Sequence, residues 1–272
     1  MAGFNAADIK KLREATGAGM VDCKNALVDA EGDYDKAVEQ LRVKGLKGVA
    51  KREGRAASNG LVVSLLDGST KGTLLELNCE TDFVAKSDRF LALASQVVAA
   101  AAGANDPATI TVDGVPLQDV LNDANAALGE KIEVRRVASF EGAHVGVYLH
   151  KTSPDLPPQL GVMVELSGDN AALAKDIAQH IAALPPLFVT RDEVADDVVA
   201  KEREIARATA IEEGKPEGSL DKIVEGRITG FFKENVLIEQ SFAKDSKKTV
   251  GKILDEAGLT VVRFARFKVG QA

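Results

Sequence analysis

The sequence predicts an α+β fold. A small three-helix unit comes first, then two related α+β units, the second interrupted by an antiparallel helical hairpin. Three observations carry this reading. Helical periodicity with cap residues fills residues 5–45. From Gly60 the pattern changes to strand-like runs broken by turn residues. The order of strands, turns and helices then recurs, with identical residues at matching places.

Asn5 is a helix N-cap with Asp8 three residues on, and Ile9, Leu12 and Ala15 fall on one face. Thr16-Gly17-Ala18-Gly19 stops that helix. A second helix spans about Met20 to Ala30, with Val21, Ala26 and Leu27 apolar, and Glu31-Gly32-Asp33 ends it. Asp33 caps a third, with Tyr34, Ala37, Val38 and Leu41 at inward spacing. Three helices in so short a stretch suit a docking module better than a catalytic body. Next comes a basic, Gly-dotted connector: Arg42, Lys44, Lys47, Lys51, Arg52 and Arg55 against Glu53 alone. It reads as a solvated linker helix rather than an RNA contact, because no aromatic is interleaved for base stacking.

Leu61 to Leu66 is strand-like, Asp67-Gly68-Ser69 signals a hairpin turn, and Thr73 to Asn78 returns as the next strand. A polar turn carrying Phe83 leads to a helix over about Ser87 to Ala102. A second helix follows from Leu117 to Leu128, then a strand from Lys131 to Phe140. Val145 to His150, a Pro-rich turn, Leu160 to Leu166 and a helix from Ala171 to Leu184 repeat the order, and Leu259 to Phe267 closes it. Glu76-Leu77 matches Glu165-Leu166, and Arg136, Ala138 and Phe140 match Arg263, Ala265 and Phe267. The first match has an offset of 89 residues and the second of 127, so the second unit holds about 38 extra residues. Those lie where Thr190 caps a helical stretch with Val194, Val198, Ile205 and Ala208 on one stripe. Gly214 to Ser219 breaks it, and Leu220, Ile223, Val224, Arg227, Ile228 and Phe231 return: a helical hairpin. The expected division is 1–55 for the helical unit and connector, 56–140 for the first α+β unit and 141–272 for the second. The hairpin occupies about 188–235 of the last.

Composition narrows the function. Apolar residues are 45% and charged residues 28%, as in ordinary globular domains. No apolar run reaches membrane-spanning length, and the start of the chain lacks a signal peptide's basic and apolar regions. Two cysteines, Cys23 and Cys79, fall in apolar patterns as buried fillers and point to a reducing cytosol. Net charge is −7, yet residues 1–56 hold 11 basic and 9 acidic residues, leaving 23 and 32 for the rest. That acidic body argues against general nucleic-acid binding. There is no P-loop. Gly17-Ala18-Gly19 follows a helix, not a strand, so no dinucleotide site is expected, and His144, His150 and His180 lack metal-ligand spacing. No catalytic residue, metal or cofactor is expected. Phe83, beside Asp82 at the head of a helix, is either a core plug or a probe aimed at a partner. The matching turn in the second unit, Gly168-Asp169-Asn170, has no Phe, which favours the probe.

Leu12-Arg13, Thr16-Gly17-Ala18-Gly19-Met20, Cys23-Lys24 and Ala26-Leu27 resemble the N-terminal signature of the bacterial elongation factor Ts family. Asn78-Cys79-Glu80-Thr81-Asp82-Phe83-Val84-Ala85-Lys86 resembles its second signature. Gly129-Glu130, Arg135-Arg136-Val137, Tyr148 with His150 and Arg266-Phe267-Lys268-Val269-Gly270 also fit. The resemblance implies a ubiquitin-associated-like helical domain, two related core subdomains and a helical hairpin used in dimer or partner contacts. It implies a cytoplasmic guanine nucleotide exchange factor for elongation factor Tu, in its GDP-bound and nucleotide-free forms, and not an enzyme. Thr81, Asp82, Phe83 and Val84 would form the exchange wedge, disturbing the partner's Mg²⁺ and phosphate site. Arg13, Met20, Val21, Leu128, Gly129 and His150 match other contact positions, His150 toward a second domain of the partner. Val21 stands where some relatives carry a second Met, and the chain stops at Ala272 where some members continue into a further helix. The competing expectations are a ubiquitin-associated-type scaffold without exchange activity and a hairpin serving only to form a homodimer.

Overall fold

The computed structural model describes residues 3–271, and within them the side chains of all but residues 46–51. Helix α1 (Ala6–Thr16) starts on a reciprocal cap. Asn5 Oδ1 accepts from Ala7 N at 2.7 Å, and Asp8 Oδ2 accepts from Asn5 N at 2.8 Å. It ends on Gly17, whose φ of 73° is the left-handed cap that glycine adopts without strain. Helices α2 (Met20–Asp29) and α3 (Tyr34–Arg52) complete the unit around buried Leu12, Cys23, Ala26, Leu27, Ala37 and Leu41.

Helix α3 runs through most of the expected basic connector, and its described cations there are engaged within the chain. Arg42 meets Asp123 at 3.2 Å, Lys44 meets Asp22 at 2.7 Å, and Arg52 donates to Asn125 O at 2.9 Å. Arg55, just beyond, meets Glu80 at 3.2 Å. The side chains of Lys47 and Lys51 lie outside the described ones. A Cβ on Gly45 would sit 2.5 Å from Ala126 Cβ, so this glycine sets how closely α3 crosses its neighbour.

The rest of the chain is α+β. The first unit contains β1 (Asn59–Asp67), β2 (Lys71–Cys79), a single turn α4 (Asp82–Ala85) and α5 (Asp88–Ala100). It continues with β3 (Thr111–Val112), β4 (Val115–Pro116), α6 (Leu117–Leu128) and β5 (Glu133–Glu141). The second contains β6 (His144–His150), β7 (Leu160–Leu166) and α7 (Ala171–Ala183), then the hairpin α8 (Asp196–Glu212) and α9 (Leu220–Asn235). It closes with β8 (Ser241–Phe242), β9 (Asp245–Thr249), α10 (Val250–Ala257) and β10 (Val261–Lys268). The antiparallel sheets β1-β2-β5 and β6-β7-β10 share one topology. The repeat is fuller than the sequence pattern indicates, because β3, β4 and α6 reappear as β8, β9 and α10.

The two sheets face each other through six side chains forming three equivalent pairs: Val62 and Val145, Leu74 and Met163, Phe140 and Phe267. A Cβ on Gly72 would sit 2.8 Å from Val145 Cγ1, and one on Gly161 2.5 Å from Val62 Cγ1. Both glycines therefore let the sheets approach. The matched Glu and Arg residues prove to be paired. Arg136 Nε donates to Glu76 Oε2 at 2.7 Å, and Arg263 Nε to Glu165 Oε2 at 2.6 Å. Arg136 stacks on Phe267 at 4.8 Å, and Arg263 on Phe140 at 4.3 Å, so each cation crosses the seam to the other unit's aromatic. Helices cover the outer faces. Leu75, Leu77, Phe90, Ala94, Val97 and Leu121 fill the first core, and Val164, Leu166, Ile177, Ile181 and Leu254 the second.

The second arm of the hairpin follows its expected stripe, with Leu220, Val224 and Ile228 buried, and Val194 is buried too, but α8 itself departs from its stripe. Val198, Ile205 and Ala208 are exposed, while Ala206 and Ala210 are buried, Ala206 in one cluster with Val224, Ile228 and Phe232. Small alanines at the contact let the arms pack closely, and that sets the phase of α8. Thr190 heads a short 3₁₀ turn (Arg191–Glu193) and caps no α-helix; α8 begins after Ala195 with no side-chain cap. Ion pairs Arg203–Glu225, Arg207–Asp221 and Arg227–Glu213 stitch the arms along the solvent side.

Candidate functional site

β2 ends at Cys79, which is fully buried, as is Cys23. Burial, with the Glu130 carboxylate nearby, pushes the Cys79 thiol up to about 12, so it stays neutral and donates to Thr81 O at 3.2 Å. Both cysteines are therefore inert fillers, as expected from their apolar settings. Thr81 then caps α4, its hydroxyl oxygen accepting from Val84 N at 3.3 Å.

The single turn α4 carries the candidate wedge. Ala85 is buried, and Val84 packs partly on the first core. Thr81 and Asp82 are half-buried, and Phe83 is 73% exposed. Lys86 Nζ lies 4.7 Å from the Phe83 ring centroid and 3.5 Å from Asp82 Oδ2. The core-plug role belongs to Phe90, which is 0% exposed at the head of α5. Ser87 links the two: its hydroxyl donates to Val84 O at 2.8 Å and accepts from Phe90 N at 3.4 Å. An outward aromatic thus stands on a turn anchored by an inward one.

Behind the turn sit two carboxylates that pattern reading did not single out for this part. Glu130 accepts from Glu80 N at 3.1 Å, Thr81 N at 3.0 Å and Thr81 Oγ1 at 2.6 Å. Glu80 in return accepts from Lys131 N at 2.7 Å. Partial burial works against the Glu80 anion, but the Lys131 N–H and Arg55 outweigh it and hold its carboxyl below the usual range. Their partners lie some fifty residues apart in sequence, a separation that leaves no local signal.

The other expected contact residues fall in three places. Leu128, half-buried on the first core, and exposed Gly129, the left-handed cap of α6, adjoin Glu130 and so the turn that bears Phe83. Arg13, Met20 and Val21 are on the three-helix unit, with Met20 46% and Val21 71% exposed, outside that unit's core. That unit is seated beside them: a Cβ on Gly17 would lie 2.9 Å from Ala127 O and against Arg89. His150 stands apart, exposed at the end of β6, with Nδ1 3.0 Å from Tyr148 Oη. Among the described residues no group of His, Cys, Asp and Glu is arranged to hold a metal ion, and no helix is long and apolar enough to cross a membrane.

The family profile described as Elongation factor TS matches residues 80–271. The chain belongs to the elongation factor Ts family. Similarity extends through the three-helix unit as well. The chain is 60% identical over 276 residues to Elongation factor Ts of Acidothermus cellulolyticus, covering 100% of both chains. It is 58% identical to that of Streptomyces griseus, over 99% of this chain and 100% of the relative, and 56% identical to that of Thermobifida fusca over 100% of both. As a member of the elongation factor Ts family, it is a translation elongation factor.

Proposed function

We propose that the chain is a cytoplasmic guanine nucleotide exchange factor that binds elongation factor Tu and promotes GDP release, with Asp82 and Phe83 as the wedge. The observation that carries this reading is a large aromatic, 73% exposed, on a turn held by a network of side-chain and backbone hydrogen bonds and a buried neighbour. A GTPase holds GDP through Mg²⁺ and backbone donors around the phosphates. A rigid probe that fits only when those donors are displaced binds the nucleotide-free state better, and this difference is what drives release. Burying one exposed Phe is worth about 1.5–3 kcal/mol, or roughly ten- to hundredfold in an equilibrium constant. Met20, Val21, Leu128 and Gly129 would supply further contact area near the wedge, and His150 a separate contact.

The reading requires no catalytic group on this chain: the free energy comes from the contact itself. It is tested by following fluorescent GDP leaving elongation factor Tu with and without the chain. Acceleration is expected. Binding without acceleration would leave the protein a scaffold and contradict the proposal.

A further inference from the structure

We propose that Glu130 is a positioning residue for exchange, acting through the turn that bears Phe83. The inference rests on the exchange reading above. Helix α4 is one turn long, too short to hold its own direction. Its entry is fixed by the Glu130 carboxylate, which accepts from two successive backbone N–H groups and from the Thr81 hydroxyl, all within 3.1 Å. An ionised carboxylate taking three donors is a strong anchor, and it fixes the angle at which Phe83 leaves the surface.

The duplicated unit serves as an internal comparison. There α10 also ends on a left-handed glycine, Gly258 with φ 65°, matching Gly129 with φ 76°. The next residue is Leu259, which packs on the apolar core and touches the region of Gly168. The junction is closed without a carboxylate: Ser167 N donates to Thr260 O at 3.0 Å, and Thr260 N to Ser167 Oγ at 2.9 Å. The fold therefore joins strand, turn and final strand equally well with a Leu at this place. Only the copy that presents an exposed aromatic carries the acid clasp. The clasp therefore accompanies the α4 turn that bears Phe83 and is not required by the sheet topology the two copies share.

The test is stopped-flow release of fluorescent GDP from elongation factor Tu, over a range of chain concentrations, for the parent, Glu130→Ala, Phe83→Ala and the double variant. Glu130→Ala is expected to lower the maximal release rate about tenfold, the size of a lost charge-assisted hydrogen bond. The half-saturating concentration should change much less, since the remaining contact surface is untouched. In the Phe83→Ala background the same change should cost under about twofold, because a clasp that acts through Phe83 has nothing left to position. Glu130→Gln, which keeps one acceptor oxygen, should fall between parent and Ala; if Glu130→Ala does not fold, it carries the test. Equal losses from Glu130→Ala in both backgrounds, or an unchanged maximal rate, would overturn the clasp while leaving the wedge standing. A Phe83→Ala variant as fast as the parent would instead remove the wedge, and this inference with it, while no acceleration by the parent would remove the exchange reading.

Discussion

Replacing Arg136 by Ala removes the counter-charge from the most deeply buried carboxylate in the seam between the sheets. Glu76 is 0% exposed, and the Arg136 guanidinium reaches it with Nε at 2.7 Å and Nη2 at 2.5 Å. One weaker donor remains, Gly270 N at 3.3 Å. Removing one partner of a buried pair costs about 3–5 kcal/mol, because the other charge is left unpaired in a poorly polarisable setting. Loss of the stack on Phe267 adds up to about 1 kcal/mol. At roughly 2–4 °C per kcal/mol for a chain of this size, the melting temperature should fall by about 6–24 °C. Arg263 makes the equivalent pair with Glu165, but its side chain is 48% exposed, so Arg263→Ala should cost clearly less. Urea titration followed by circular dichroism measures both. The double variant Glu76→Leu/Arg136→Met replaces the ions by apolar groups and should recover most of the loss. A loss below about 1 kcal/mol for Arg136→Ala, or a double variant no better than the single one, would refute the reasoning.

Phe83→Ala should leave stability within about 0.5 kcal/mol of the parent, whereas Phe90→Ala should cost about 3–5 kcal/mol; thermal melts separate them. Burial lowers the pKa of His180, although the bond between Nε2 and Gln240 Oε1 at 2.8 Å opposes this, and Nδ1 accepts from Ala243 N at 3.1 Å. The unfolded chain therefore binds the proton more readily. This stability is present above the ordinary pKa of about 6.5 and is lost as pH falls below it, so the slope of stability against pH between 7 and 5 should flatten in His180→Asn. Cys79 and Cys23 should resist maleimide at neutral pH in the folded protein and react fully in denaturant; rapid labelling of the native chain would contradict their burial.

Much of the architecture was legible because caps and turns are local. Asn5, Gly17, Asp33 and Ser87 start or stop helices where their chemistry predicts, and Asp67-Gly68-Ser69 turns the first hairpin. The Glu and Arg matches that reveal the repeat turned out to be ion pairs at the seam, so their spacing reflected a real constraint. Three features were not readable. Helix α10 and the ribbons β3/β4 and β8/β9 are too short for periodicity to register. In α8, alanines and β-branched residues fall on several faces, so the buried side was settled by close packing of Ala206 and Ala210, not by the larger Val198 and Ile205. The basic connector is helical as expected, but it is docked rather than solvated because Arg42 and Arg52 find partners on α6, a tertiary effect. At the candidate site Phe83 was visible as an aromatic out of place, but Glu130 gained its part only from a partner fifty residues upstream.

The most direct measurement of the central claim is GDP release from elongation factor Tu at a fixed, sub-saturating concentration of parent or Phe83→Ala chain. The parent should accelerate release, and Phe83→Ala should lose roughly ten- to hundredfold of that effect while remaining folded. Equal acceleration by both chains would contradict the wedge, and no acceleration by the parent would contradict exchange altogether.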